Sequence, residues 1–218
     1  MTDVVKRYFD RAADDFDAIY DGKGRLGQWI DRHFRRDMYE RYRLTFETCG
    51  DVRGKTVLDI GCGGGRYSIE FARRGAAHVI GLDFAPNMLA LAREHAEEFG
   101  VQDQCEFVLG DFMEAQFAER FDICTAIGVF DYVAEPRPFL EKMVSLANDW
   151  VIASFPSRSP VRTPIRKVRY WFKRCPVYFY DQIEIHRLLD GLGEYRVIKI
   201  PGQGMDYFVD VRMTPRGR

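Results

Sequence analysis

The chain has 218 residues, with 32 Lys and Arg against 33 Asp and Glu and a formal net charge of −1. A chain of this length suits one compact domain with a well-buried core. The even balance argues against a global bias toward nucleic acid or an anionic membrane, and no stretch of about 18 uninterrupted apolar residues is present to span one. Five widely spaced cysteines without a Cys-x-x-Cys pair read as reduced thiols of a soluble cytoplasmic protein, not a disulfide frame or a metal site. The amino terminus lacks an apolar signal core.

Residues 1–50 read as polar, aromatic and helical. Leu26, Ile30, Phe34, Met38, Tyr42 and Phe46 recur at every fourth position, a stripe that must pack on something. From Thr56 the pattern changes. Apolar strands at 56–60, 78–83, 105–109, 121–127 and 150–155 alternate with helices at 66–74, 86–98 and 137–147. Pro86 suits a first helical turn, where its missing N–H costs nothing. The alternation predicts a parallel, doubly wound α/β sheet with right-handed crossovers. A Pro-, Arg- and Tyr-rich insert occupies 156–180. Asp181 and Glu184 then form a capping box that opens a helix running to about residue 192. Two last strands, near 194–200 and 207–213, are joined by a link too short for a parallel crossover. They form an antiparallel hairpin, so the edge of the sheet is finished by one reversed strand.

The chemistry concentrates in Val57-Leu-Asp59-Ile-Gly61-Cys62-Gly63-Gly-Gly65. Glycine allows positive φ and close approach of backbone to a ligand. Asp59 falls at the carboxyl end of the first strand, where open α/β sheets bind ligands. This is a nucleotide-type cofactor site. A dinucleotide fingerprint requires a third glycine that admits close helix–strand packing, and Arg66 or Ser68 stands there instead. No Gly-Lys-Ser/Thr follows, so a phosphate-binding loop fails too.

The residues resemble the class I S-adenosylmethionine-dependent methyltransferases. The family's acid-x-Gly-x-Gly-x-Gly is matched by Asp59, Gly61, Gly63 and Gly65; Asp83 closes the second strand; Gly110-Asp111-Phe112 follows the third; 121–127 and the loop Gly128-Val-Phe-Asp131-Tyr132-Val follow in order. The resemblance implies a Rossmann-like, seven-stranded sheet, mostly parallel with a reversed last strand. It also implies one methyltransferase domain over 1–218: a helical lid (1–50), a cofactor-binding core (51–155), a substrate-cap insert (156–180) and a carboxyl-terminal helix and hairpin (181–218). S-adenosylmethionine is the implied cofactor and S-adenosylhomocysteine its product.

Site roles follow from the same resemblance. Asp83 accepts from the ribose hydroxyls, since a carboxylate can take both in charge-assisted bonds. Asp111 and Phe112 frame the adenine, and Phe84 and Met88 pack on the adenosine. Gly61, Cys62 and Gly63 form the backbone cradle, Ile127 and Gly128 offer backbone groups near the methionine end, and Asp59 supplies negative charge beside a cationic ligand. Residues 8–20 resemble a lid helix, with Tyr20 and Arg25 placed to meet the methionine carboxylate; an arginine fork suits that group. Asp131 and Tyr132 are candidates to contact the acceptor, and His186 is the best placed of the four histidines as a base.

The insert carries Arg158, Arg162, Arg166, Lys167, Arg169, Lys173 and Arg174 with no acid between Phe155 and Tyr180. Three readings stand: recognition of an acidic or phosphate-bearing small molecule, peripheral contact with an anionic membrane at about 1 kcal/mol per charge, or a solvated amphipathic helix. Tyr8-Phe9, Ile19-Tyr20, residues 54–65 and Arg74-Gly-Ala resemble magnesium-protoporphyrin O-methyltransferases, whose acceptor propionate would suit such an insert. The loop after the fourth strand and the insert itself depart from that group. The leading expectation is O-methylation of a small, acidic molecule. A nicotinamide-dependent oxidoreductase and a non-catalytic cofactor-binding or membrane-associated protein are the alternatives. A nucleic-acid methylase is disfavoured by the charge balance and by the lack of an Asn/Asp-Pro-Pro-aromatic tetrapeptide.

Overall fold

The computed structural model describes residues 36–158, 163, 176–200 and 206–214. Helix α1 (Arg36–Cys49) leads into β1 (Thr56–Ile60), α2 (Arg66–Arg73), β2 (His78–Asp83), α3 (Pro86–Glu98), β3 (Cys105–Leu109), β4 (Phe121–Ala126), α4 (Pro136–Leu146), β5 (Ala147–Phe155), α5 (Gln182–Leu189), β6 (Glu194–Lys199) and β7 (Tyr207–Arg212). The seven strands form one sheet in the order β3-β2-β1-β4-β5-β7-β6. Strands β1 to β5 run parallel, and β7 is antiparallel to both β5 and β6. The expected hairpin and reversed strand are therefore present, with one difference of placement. The reversed β7 lies one strand in, and β6 takes the edge.

Both placements follow from side chains. In β7, Tyr207 to Val211 are all buried, whereas charged residues are spread along β6 and none of its residues is buried. A strand buried on both faces reads as a continuous apolar run, and charges protect an edge. The single charge inside β7, Asp210, is paired across the strands with Arg196, whose Nε donates to its two carboxyl oxygens at 3.0 and 3.1 Å.

Two-residue periodicity sorts the core into two layers. Val57, Val79 and Ile123 pack with Phe46 of α1, Phe71 of α2 and Leu89 of α3, while Leu58, Ile60, Leu82 and Cys124 pack with Phe139, Leu140 and Met143 of α4 and Ile185 of α5. Asp59 shares the face of Val57 and so points toward α2. The predicted stripe is realised where α1 is described: Tyr42 and Phe46 pack edge to face with ring centres 4.8 Å apart, and Phe46 meets Phe71 at the same spacing.

At the start of the sheet, Thr56 N donates to Asp122 Oδ2 (2.8 Å) and Asp122 N to Thr56 Oγ1 (3.1 Å), fixing the register of β1 on β4. The expected capping box is present: Glu184 N donates to Asp181 Oδ1, and Asp181 N to Glu184 Oε2. The two ends of the insert close on each other through Tyr180 N to Pro156 O and Arg158 N to Tyr180 O. Residues 1–35 and most of the insert lie outside the described residues, so the lid expected over 8–20 and the basic run 162–174 do too. Among the described residues, no helix is long and apolar enough to cross a membrane, and no cluster of His, Cys, Asp and Glu is built to hold a metal ion.

Phe71 joins α2 to α1 with no exposed surface. Truncation of Phe71 to Ala is expected to lower the unfolding free energy by about 3–5 kcal/mol, measured by urea denaturation.

Candidate functional site

A cleft of about 700 Å³ opens at the carboxyl ends of β1, β2 and β4, within the range of small-ligand sites. Its floor is the turn between β1 and α2. Gly61, Gly63 and Gly65 all have positive φ, at 68°, 53° and 81°. At Gly61 a side chain would also collide, because an added Cβ would lie 2.6 Å from Val129 Cγ2. Glycine is thus required for conformation and for space at the same residue.

Such a turn creates a problem for α2. Its N-cap is Gly65, which has no side chain to satisfy the first N–H groups, and those groups need partners. Asp59 supplies one from the neighbouring strand. Its Oδ2 accepts from Ser68 N at 3.1 Å and Ser68 Oγ at 2.6 Å, and its Oδ1 accepts from Thr125 Oγ1 at 3.0 Å. Thr125 is the register partner of Asp59 on β4. A carboxylate at a helix N-terminus is also favoured by the helix dipole. Asp59 is 2% exposed, and burial raises its pKa from 3.8 to about 6; the Ser68 and Thr125 bonds oppose the rise and the charge of Asp83 adds to it.

Asp83 does the equivalent work at the end of β2. Its Oδ2 accepts from Gly63 N (2.9 Å) and its Oδ1 from Ala85 N (2.9 Å), so it holds the glycine turn and the N-cap of α3 together. It is 7% exposed, and burial raises its pKa against the pull of the backbone bonds. His95 adds a third tie, with Nδ1 3.0 Å from Gly64 O.

The remaining walls come from each following loop. Phe84, Met88, Gly110, Asp111, Phe112, Ile127, Gly128, Asp131 and Tyr132 all line the cleft with Asp59, Asp83 and the glycine turn. Met88 and Phe112 are buried and Asp131 is 8% exposed. The N–H of Gly128 is taken by Ser154 Oγ at 2.8 Å, so it is not the backbone group this residue offers to a ligand.

The cleft does not take in every residue predicted for it. His186 sits exposed on α5 and does not line the cleft, with Nδ1 3.1 Å from Tyr195 Oη of β6. Tyr20 and Arg25 lie outside the described residues. Arg158 is committed elsewhere, with its guanidinium 2.7 Å from Glu184 and 3.4 Å from Asp181, so it does not serve the insert as a spare cation. Conversely, Arg41, Tyr42, Arg66 and His95 line the cleft without having been singled out. Arg41 approaches Gly128, where an added Cβ would lie 3.8 Å from Nη1. Its only signal in the sequence is its place beside Met38 and Tyr42 on the apolar stripe of α1.

Residues 51–187 match the family described as a methyltransferase domain. Part of the chain resembles ubiquinone biosynthesis O-methyltransferases. It is 38% identical over 99 residues to that of Aeromonas salmonicida, covering 45% of this chain and 41% of the relative. It is 35% identical over 116 residues to that of Bordetella parapertussis, covering 52% and 48%. The chain thus spans about half the length of the relatives it matches. Among solved structures, the fold is similar to that of magnesium protoporphyrin IX methyltransferase from Synechocystis PCC 6803 with bound S-adenosylhomocysteine. The TM-score is 0.78 at 22% identity, over 97% of this chain and 99% of that one.

The raised Asp59 carboxyl has a consequence for stability. Its folded pKa, about 6, lies above the ordinary 3.8, so the folded state holds the proton more tightly. Stability is therefore lost as pH rises from about 4 to about 6. Relative to Asp59→Asn, the wild-type protein is expected to lose roughly 3 kcal/mol across that window, about two pKa units at 1.36 kcal/mol each. Urea denaturation of both proteins at several pH values measures this.

Proposed function

Because the chain belongs to the methyltransferase domain family, we propose that it transfers the methyl group of S-adenosylmethionine to an oxygen of a small, acidic molecule. The observation that carries the cofactor reading is the pair of buried carboxylates, Asp59 and Asp83, at the ends of adjacent strands on one cleft. The charge of Asp83 raises the pKa of Asp59 and burial raises both. A cation seated in the cleft would relieve that cost, whereas a pyrophosphate would add to it. S-adenosylmethionine has the fitting charge, and its ribose offers two adjacent hydroxyls.

When bound, S-adenosylmethionine supplies an electrophilic methyl: a C–O bond forms to the acceptor as the C–S bond breaks, and the sulfonium leaves as the neutral thioether. The chain's own residues bind and align. Asp83 accepts from the backbone of Gly63, Phe84 and Ala85, and a carboxylate with about four lone-pair sites keeps capacity for a ribose hydroxyl. Asp111 and Phe112 bound the adenine end. Arg41 lines the cleft near Gly128 while its Nη1 lies 4.0 Å from Asp206 Oδ2, and in this reading it takes toward a carboxylate the role expected of Arg25 from the sequence. In this reading Asp131, which lines the cleft with Tyr132, takes the proton of an acceptor hydroxyl. Alignment of an in-line displacement can supply about 7–11 kcal/mol of the barrier.

Oxygen as the acceptor atom is supported by the partial likeness to ubiquinone biosynthesis O-methyltransferases. An acidic acceptor is supported by Arg41 and Arg66 on the cleft wall. Incubation with methyl-labelled S-adenosylmethionine and a metabolite extract, followed by mass spectrometry, is expected to show label on an acidic small molecule; no labelled small molecule would overturn the reading. Asp83→Ala is expected to weaken S-adenosylhomocysteine binding roughly ten- to hundred-fold, the scale of hydrogen bonds to a charged group, by calorimetry.

A further inference from the structure

The turn after β3 is built around a cation. Glu114 N and Ala115 N both donate to Asp111 O, at 3.1 and 2.8 Å, and Met113 N donates to Asp111 Oδ1 at 2.9 Å. This winds residues 111–115 so that the carbonyls of Phe112, Met113 and Ala115 converge. Lys142 Nζ, from α4, donates to all three, at 2.6, 3.1 and 2.6 Å. An ammonium has three donors, and here each is spent on main chain of one turn. Two further contacts join the same groups. Lys142 Nζ stands 5.0 Å from the centre of the Phe112 ring, and Phe139, one helical turn before Lys142, packs against that ring at 4.7 Å.

Lys142 is absent from the cleft wall, whereas Gly110, Asp111 and Phe112 form part of it. Its effect on a ligand therefore passes through the turn. That turn has no ladder to hold it, and ordering a loop on binding costs affinity. An isolated surface ion pair would count for little; three convergent bonds to main-chain oxygen fix the backbone itself.

We propose that Lys142 is a positioning residue for the adenine end of the cofactor: by gathering the carbonyls of Phe112, Met113 and Ala115 it presets the Asp111–Phe112 rim before any ligand arrives. The proposal rests on the cofactor reading above and adds a residue that acts on one end of that ligand alone.

The test compares the full-length wild type with Lys142→Met, which keeps the stem and loses the donors, and Lys142→Arg, which restores donors and charge. Calorimetry is done with S-adenosylhomocysteine and with S-ribosylhomocysteine, the same ligand without adenine. Lys142→Met is expected to bind S-adenosylhomocysteine roughly ten- to hundred-fold more weakly, to bind S-ribosylhomocysteine as the wild type does, and to be largely rescued by Arg. Unchanged S-adenosylhomocysteine binding, or equal losses for both ligands, would overturn the proposal. Wild type that binds no S-adenosylhomocysteine would instead sink the cofactor reading, and this inference with it. Amide hydrogen exchange of the wild type tests, without any variant, whether the turn is preset. The amides of Met113, Glu114 and Ala115 are expected to be protected in the free protein and little changed by S-adenosylhomocysteine; free exchange that slows only on binding would overturn preorganisation.

Discussion

The structure depends on carboxylates doing work that a glycine-rich turn cannot do for itself. Three left-handed glycines let the chain pass close beneath a ligand, but they leave α2 without a capping side chain. Asp59 and Asp83 reach in from β1 and β2 and supply the missing acceptors, to Ser68, Gly63 and Ala85. The same bonds bring two negative charges into the interior, one beside the other. Burial raises both carboxyls and also holds the Cys62 thiol between them well above its ordinary value, with both carboxylates adding to the rise. The carboxyl oxygens hold the turn, and their charges are costly without a cation.

The cleft is continuous with the core beneath it. Phe112 packs on Phe139, Phe139 on Phe130, Phe130 on Phe155 and Phe155 on Tyr180, with ring centres 4.2 to 5.2 Å apart. This row runs from the Asp111–Phe112 rim, under the loop that carries Asp131 and Tyr132, to the base of the insert. Aromatic pairs of this kind contribute beyond the area they bury. The Asp111–Phe112 and Asp131–Tyr132 rims of the cleft thus stand on a single packed layer, and Lys142 bonds the first of them from the same helix as Phe139.

Much of this was legible in the sequence because the governing signals are local. Strands β1, β2 and β3 and helix α3 have the expected bounds, since alternating apolar runs, Pro86 and the following glycines mark them within a few residues. Asp59, Asp83, Asp111 and Asp131 were legible as cleft residues because each ends a strand or follows one. What was hidden depends on distant pairing. Nothing near Asp59 announces that its oxygens are held by Ser68 and Thr125, one across a turn and the other 66 positions away. Lys142 reads as one exposed lysine on an amphipathic helix until the turn at 111–115 is folded against it. His186 is not among the residues that line the cleft, because sequence order after the insert does not say which face of α5 looks inward. The place of β6 at the edge could have been read from its spread charges beside the apolar run of β7; the short link says only that the two strands pair.

The most direct measurement is a crystal structure of the protein soaked with S-adenosylhomocysteine. The ribose hydroxyls are expected within hydrogen-bond distance of Asp83, with Asp83 still bonded to the N–H groups of Gly63 and Ala85 and the Gly61–Gly65 backbone unmoved. A ligand seated away from Asp83, or an Asp83 that must release the glycine turn to reach it, would contradict the claim that the buried carboxylates preform the site.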